Sequence, residues 1–277
     1  MTAKSRDLPI GVFDSGVGGL TVLGALRERL PRESLVYLGD TARLPYGTKS
    51  AAAVSHYAVQ AARALVATGI KALVVADNTS SAHALETLRA EFRGLPVIGV
   101  VEPGAAAAGH ASAQGRIAVI ATESTVQAGS YPRAILHSRP NAQVVSLACP
   151  LFVSMVEEGM VEGPIAEQIA RHYLAPLFLD PPEGRRCDCL LLGCTHFPLL
   201  ANALRRVLGP AVELVDCAEA VAEQAAAALG QAGLAAPAGA SGGLALIATD
   251  APDRFARIAI RLFPALGAVP VVELANL

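Results

Sequence analysis

The sequence predicts an α/β protein made of two similar parallel-sheet domains, and three observations lead there. Short apolar runs rich in Val, Ile and Leu alternate with alanine-rich helical stretches along the whole chain. Strands alternating with helices imply parallel layers joined by right-handed crossovers. The pattern also restarts: Ile10-Gly-Val-Phe-Asp14-Ser15 can be laid against Ile117-Ala-Val-Ile-Ala121-Thr122. Asp77 then lies 67 residues past Ile10, and Cys194 lies 77 past Ile117. Two such halves related by a pseudo-twofold axis would enclose an active site in the cleft between them. The competing explanation is the generic likeness of any two α/β units.

The predicted strands, in order, are Ile10–Phe13, Leu35–Leu38, Ala72–Ala76, Val97–Val101, Ile117–Ala121, Gln143–Leu147, Cys189–Leu192, Val212–Val215, Leu244–Ala248 and Val269–Leu274. The first four read as buried parallel strands, and the pattern restarts with the fifth. Pro270 limits the last to an edge position. Ser50–Thr68 reads as a helix stopped by Gly69. The expected division is 1–101 plus 212–277 for the first domain and 102–211 for the second, with no linker rich in Pro, Gly and Ser to sharpen it.

Composition narrows the function classes. Of 277 residues, 53% are hydrophobic and 17% charged, ample for a large core. A formal charge of −2 and the lack of a basic run argue against a nucleic-acid partner. The start, Met1-Thr-Ala-Lys-Ser-Arg-Asp7, has no apolar stretch like a signal peptide's. The longest uncharged stretch, Gln224–Thr249, is broken by Pro237 and glycines, which argues against a membrane span. Five cysteines (149, 187, 189, 194, 217) without a secretory signal fit free thiols in the cytoplasm. Cys187-x-Cys189 has no second pair or spaced histidines to complete a metal site.

Chemistry is expected at the carboxyl ends of the strands, where open parallel sheets bind ligands. Asp14-Ser15-Gly16-Val-Gly18-Gly19 is a glycine-rich turn into a helix; its Asp and Ser suit an amino group, though a plain tight turn reads the same way. In Asp40-Thr41-Ala-Arg-Leu-Pro45-Tyr46-Gly47-Thr48, Pro45 fixes φ and Gly47 frees it, so the loop could offer amides to a carboxylate. Asp77-Asn78-Thr79 and Cys194-Thr195-His196 each end an apolar run, 117 positions apart. His196 either tunes the thiol or caps a helix. Glu157 is either functional or a solvated helix charge. Cys149 and Cys217 read as small buried apolar residues, and the other five histidines as surface or helix residues.

Together these segments resemble the glutamate racemases. The resemblance rests on Gly11-Val-Phe-Asp14-Ser15-Gly16, Gly39-Asp40, Pro45-Tyr46-Gly47, Asn78-Thr79, Gly99-Val-Val-Glu102-Pro103-Gly104, Ala148-Cys-Pro-Leu-Phe-Val153 and Gly193-Cys194-Thr195-His196-Phe197-Pro198, all in order, with a looser match at Thr249-Asp250 and Phe255. It implies a cofactor-independent racemase of two α/β domains, with bases on opposite faces of the substrate's α-carbon and D-glutamate destined for peptidoglycan. Carried over by position, Asp14 and Ser15 would meet the amino group. Pro45, Tyr46, Gly47, Asn78, Thr79, Thr122, Thr125, Thr195 and His196 would complete the substrate-binding set. Glu157 and His196 would assist proton transfer at Cys194, and Asp14 would assist on the Asp77 side. Glutamate is the implied partner; a homodimer is compatible with the resemblance.

Residue 77 departs from the pattern, since the resemblance leads one to expect a second cysteine there. Unperturbed aspartate titrates near ~3.9 and cysteine near ~8.5, a deficit in basicity of roughly 6 kcal/mol. Burial near anions would recover part of it. Three readings follow: a racemase using Asp77 and Cys194, disabled or slowed to the degree that Asp77 fails as a base; a single-cysteine decarboxylase or isomerase of small dicarboxylates; and a glutamate-binding protein without turnover.

Overall fold

Among the described residues ten parallel strands form on short apolar runs, and they sort into two sheets. The computed structural model describes residues 5–263 and 271–277. It divides into one unit of Met1–Val100 with Ala218–Leu277 and a second of Val101–Cys217. The strands are β1 (Ile10–Asp14), β2 (Leu35–Gly39), β3 (Ala72–Val75), β4 (Val97–Gly99), β5 (Arg116–Ala121), β6 (Gln143–Ala148), β7 (Cys189–Gly193), β8 (Glu213–Val215), β9 (Leu244–Ala248) and β10 (Val272–Leu274). The first sheet runs β10-β9-β2-β1-β3-β4 and the second β6-β5-β7-β8.

The order β2-β1-β3-β4 recurs as β6-β5-β7-β8, so the restart in the sequence is a repeat of topology. β1 pairs β2 from Ile10↔Leu35 to Asp14↔Gly39 and β3 from Ile10↔Ala72 to Phe13↔Val75. β5 stands likewise between β6 and β7. Under this correspondence β3 matches β7, and Asp77 and Cys194 follow equivalent strands.

Two sequence expectations need correction. The sequence reading puts Val212–Val215 in the first domain, but Glu213 pairs with Cys189 and Val215 with Leu191, which places β8 in the second sheet. An apolar run carries no label for its partner; hydrogen-bond register supplies it. The run Val97–Val101 ends as strand at Gly99, because Val101 opens the helix Val101–Ala111. Val269 and Pro270 of the last predicted strand lie outside the described residues; Val272–Leu274 pairs β9 at the sheet's edge.

The helix Ala51–Ala67 shows how local chemistry sets the ends. Ser50 caps it, its hydroxyl accepting from Ala53 N at 3.3 Å, and Gly69 leaves it at φ 83°. Its Val54, Ala58, Ala61, Ala62 and Leu65 face Phe13, Leu38, Leu73 and Val75 of the sheet in one core cluster. At the opposite end of that sheet Lys71 and Glu33 form a buried ion pair. Lys71 Nζ also donates to Arg6 O at 2.6 Å, and Glu33 Oε1 accepts from Ala236 N at 2.7 Å. Among the described residues no helix is long and apolar enough to cross a membrane.

Candidate active site

The first unit gathers its polar residues at the tips of β1, β2 and β3, where the sheet's main-chain pairing ends. Asp14 is wholly buried at the end of β1, and its Oδ2 accepts from Gly16 N at 2.8 Å. Gly19 makes room for it: a Cβ there would stand 2.6 Å from Asp14 Cβ. Asp77 follows β3 and caps the short helix Asn78–His83, with Oδ1 accepting from Ser80 N at 2.6 Å. Its Oδ2 accepts from Ser15 Oγ at 3.0 Å. Both carboxylate oxygens are therefore engaged, while Asp77 keeps 6% exposure. Asn78 and Thr79 are buried in the first turn of the same helix.

Two tyrosines stand behind these groups. Tyr37 on β2 is fully buried and donates to Gly16 O at 2.9 Å. Burial pushes its phenol well above the ordinary range, and the Asp14 and then the Asp77 carboxylate push it further. Tyr46 is equally buried; its hydroxyl donates to Asp40 Oδ2. Burial and then the Asp40 charge raise its phenol strongly. The Tyr46 side chain is thus committed to Asp40 and the core, with Phe13 at 6.2 Å and Tyr57 at 5.7 Å between ring centroids. What Tyr46 offers a ligand therefore comes from its main chain. Gly47 sits within the 3-10 turn Tyr46–Thr48, so the freedom expected of it is not spent on a left-handed conformation.

The second unit carries Cys194, Thr195 and His196 just past β7, each less than a tenth exposed. Cys194 Sγ lies 3.8 Å from His196 Nδ1, and His196 Nε2 lies 3.5 Å from Glu157 Oε1. Of the two readings of His196, the ring stands beside the thiol and makes no side-chain cap. Glu157 ends the helix Pro150–Glu157 and points to that ring rather than only to solvent. Thiol, imidazole and carboxylate thus succeed one another at 3.8 and 3.5 Å, an order that suits proton transfer at the thiol. Cys149 is wholly buried, and burial followed by the nearby Cys194 pushes its thiol up to about 12. It stays a neutral neighbour of Cys194. Cys217 is buried and meets Tyr131 Oη at 3.3 Å. At the tip of β5, Thr122 Oγ1 and Thr125 Oγ1 lie 2.9 Å apart.

Asp14, Ser15, Asp77, Asn78 and Thr79 are thus brought together in one unit, and Glu157, Cys194, Thr195 and His196 in the other. Sequence reasoning gives no role to the side chains of Tyr37, Asp40 and Thr249. For Asp40 and Thr249 the signal is present in the segments Gly39-Asp40 and Thr249-Asp250, but those two side chains meet only through pairing of β2 with β9.

The family model described as Asp/Glu/hydantoin racemase matches residues 20–225. A glutamate racemase of Thermus thermophilus is 46% identical over 274 residues, 99% of this chain and all of that protein. Among solved structures, a glutamate racemase isoform of Bacillus anthracis superposes with a TM-score of 0.90 at 35% identity, covering 98% of both chains. The structure of the Francisella tularensis glutamate racemase in complex with D-glutamate gives a TM-score of 0.88 at 33% identity over 98% of both chains. On this sequence match, with the fold and the strand-tip residues described above, the chain belongs to the Asp/Glu/hydantoin racemase family.

Proposed function

We propose that this protein interconverts L- and D-glutamate by two-base proton transfer at Cα, with Cys194 as one base and Asp77 as the other. The observation that carries the reading is the topological repeat, which sets a protonatable side chain just past β3 in one unit and just past β7 in the other. Asp14 and Ser15 hold the substrate ammonium. The main chain of Pro45–Gly47, with Asn78, Thr79, Thr122, Thr125 and Thr195, holds the carboxylates. His196, backed by Glu157, exchanges the proton of Cys194, and Asp14 assists on the Asp77 side. No cofactor enters this scheme. The product D-glutamate would serve peptidoglycan synthesis in the cytoplasm.

A second reading draws on one specific feature. Asp77 spends both oxygens on Ser15 and Ser80, so a substrate proton must compete with those bonds. In that case Cys194 alone works, and the protein binds glutamate and exchanges the α-proton of the L enantiomer only. The test is circular dichroism of each enantiomer incubated with wild type, Cys194→Ala and Asp77→Asn. Racemisation by wild type that is abolished in both variants supports the two-base reading. Racemisation that survives in Asp77→Asn excludes Asp77 as a base. If wild type leaves both enantiomers unchanged, the two-base reading fails.

A further inference from the structure

Among the described residues, the chain beyond the family match adds β9 and β10 to one sheet only, and the residue after β9, Thr249, meets the segment that leads into the turn assigned above to the substrate carboxylate. β9 pairs β2 from Leu35↔Leu244 to Gly39↔Ala248, which brings Thr249 to Asp40 although 209 residues separate them. Thr249 Oγ1 donates to Asp40 Oδ1 at 2.8 Å and accepts from Ala42 N at 2.9 Å. Thr41 Oγ1 closes the same junction, donating to Asp250 O at 2.6 Å and accepting from Asp250 N at 2.8 Å. The other oxygen of Asp40 accepts from Arg43 Nε at 2.7 Å and from the Tyr46 hydroxyl. Arg43 in turn lies 4.6 Å over the Tyr57 ring. Asp40 itself is wholly buried, and its N–H donates to Asp14 O at 2.9 Å.

A buried carboxylate with this many donors is costly to disturb, because each partner removed leaves charge unsatisfied. We propose that the C-terminal strand and turn Leu244–Asp250 act as a brace for substrate binding. Asp40 and Thr249 are positioning residues that fix the Pro45–Thr48 turn through Tyr46. Asp40 commits one oxygen to Thr249 and the other to Arg43 and Tyr46, so it works through that turn. The proposal rests on the glutamate reading for what the turn binds, and on geometry alone for the brace.

The test uses the full-length protein with Thr249→Val, which keeps the branched shape, and Thr249→Ser, which keeps the hydroxyl. Amide hydrogen exchange over residues 40–49 without ligand reads the brace, and calorimetric titration with D-glutamate reads its consequence. Thr249→Val should exchange faster there and raise Kd by about 3- to 10-fold, the worth of one hydrogen bond. Thr249→Ser should restore both. Unchanged exchange in Thr249→Val overturns the brace; faster exchange with unchanged Kd overturns its role in binding. Faster exchange in a protein whose wild type takes up no glutamate supports the brace and sinks the glutamate reading instead.

Discussion

Replacing Asp77 by cysteine should trade stability for turnover. The carboxylate caps the helix Asn78–His83 through Ser80 N at 2.6 Å and holds Ser15 Oγ at 3.0 Å. Loss of an N-cap costs ~1 kcal/mol, and loss of a hydrogen bond to a charged group ~1.5 kcal/mol or more. Relief of carboxylate burial offsets part of this, leaving a net loss of about 2 kcal/mol. For a chain of this size that lowers Tm by roughly 4–8 °C. A thiolate is the stronger base, so racemisation should rise by roughly 10²-fold, the scale of one general base. Asp77→Asn is the control: asparagine caps as well as aspartate but takes no proton, so it should melt close to wild type and not racemise. Thermal unfolding and circular dichroism of glutamate read the two quantities separately. A Tm for Asp77→Cys equal to or above wild type would refute the capping argument; unchanged turnover would refute the argument from basicity.

Other consequences are as direct. Cys149 and Cys189 titrate at about 12 in the folded protein because burial opposes the thiolate, against ~8.5 when unfolded. The stability they confer is complete below the unfolded value and is lost as pH rises toward 12. Between pH ~9 and ~10 the denaturation midpoint should fall, and less so in Cys149→Ala/Cys189→Ala; above that, the buried phenols of Tyr37 and Tyr46 steepen the loss. Lys71→Met should cost about 3–5 kcal/mol in urea unfolding by stranding Glu33 without its cation, and Lys71→Met/Glu33→Leu should recover most of it. Gly19→Ala would place a methyl 2.6 Å from Asp14 Cβ and 3.0 Å from Ala76 Cβ. It should destabilise by about 1–3 kcal/mol and raise KM for glutamate by moving Asp14, measured by steady-state kinetics.

Strand positions are legible in the sequence because burial on both faces writes a continuous apolar run, as in Ile10–Asp14 and Cys189–Gly193. The helix Ala51–Ala67 is legible because its start and stop are local, at Ser50 and Gly69. What cannot be read depends on partners distant in sequence. The membership of β8 follows from pairing with β7. The role of Asp40 follows from Thr249, and the commitment of the Tyr46 phenol from Asp40. At residue 77 the identity is plain, and its cap on Ser80 is local; its bond to Ser15 requires the fold to bring β1 beside β3.

The most direct test of the two-base account is mass and NMR analysis of early turnover of L-glutamate in D₂O. With Asp77 and Cys194 acting as separate bases, D-glutamate should carry deuterium at Cα while recovered L-glutamate keeps its proton. Deuterium in recovered L-glutamate with no D enantiomer formed would contradict the account and leave Cys194 as the single working base.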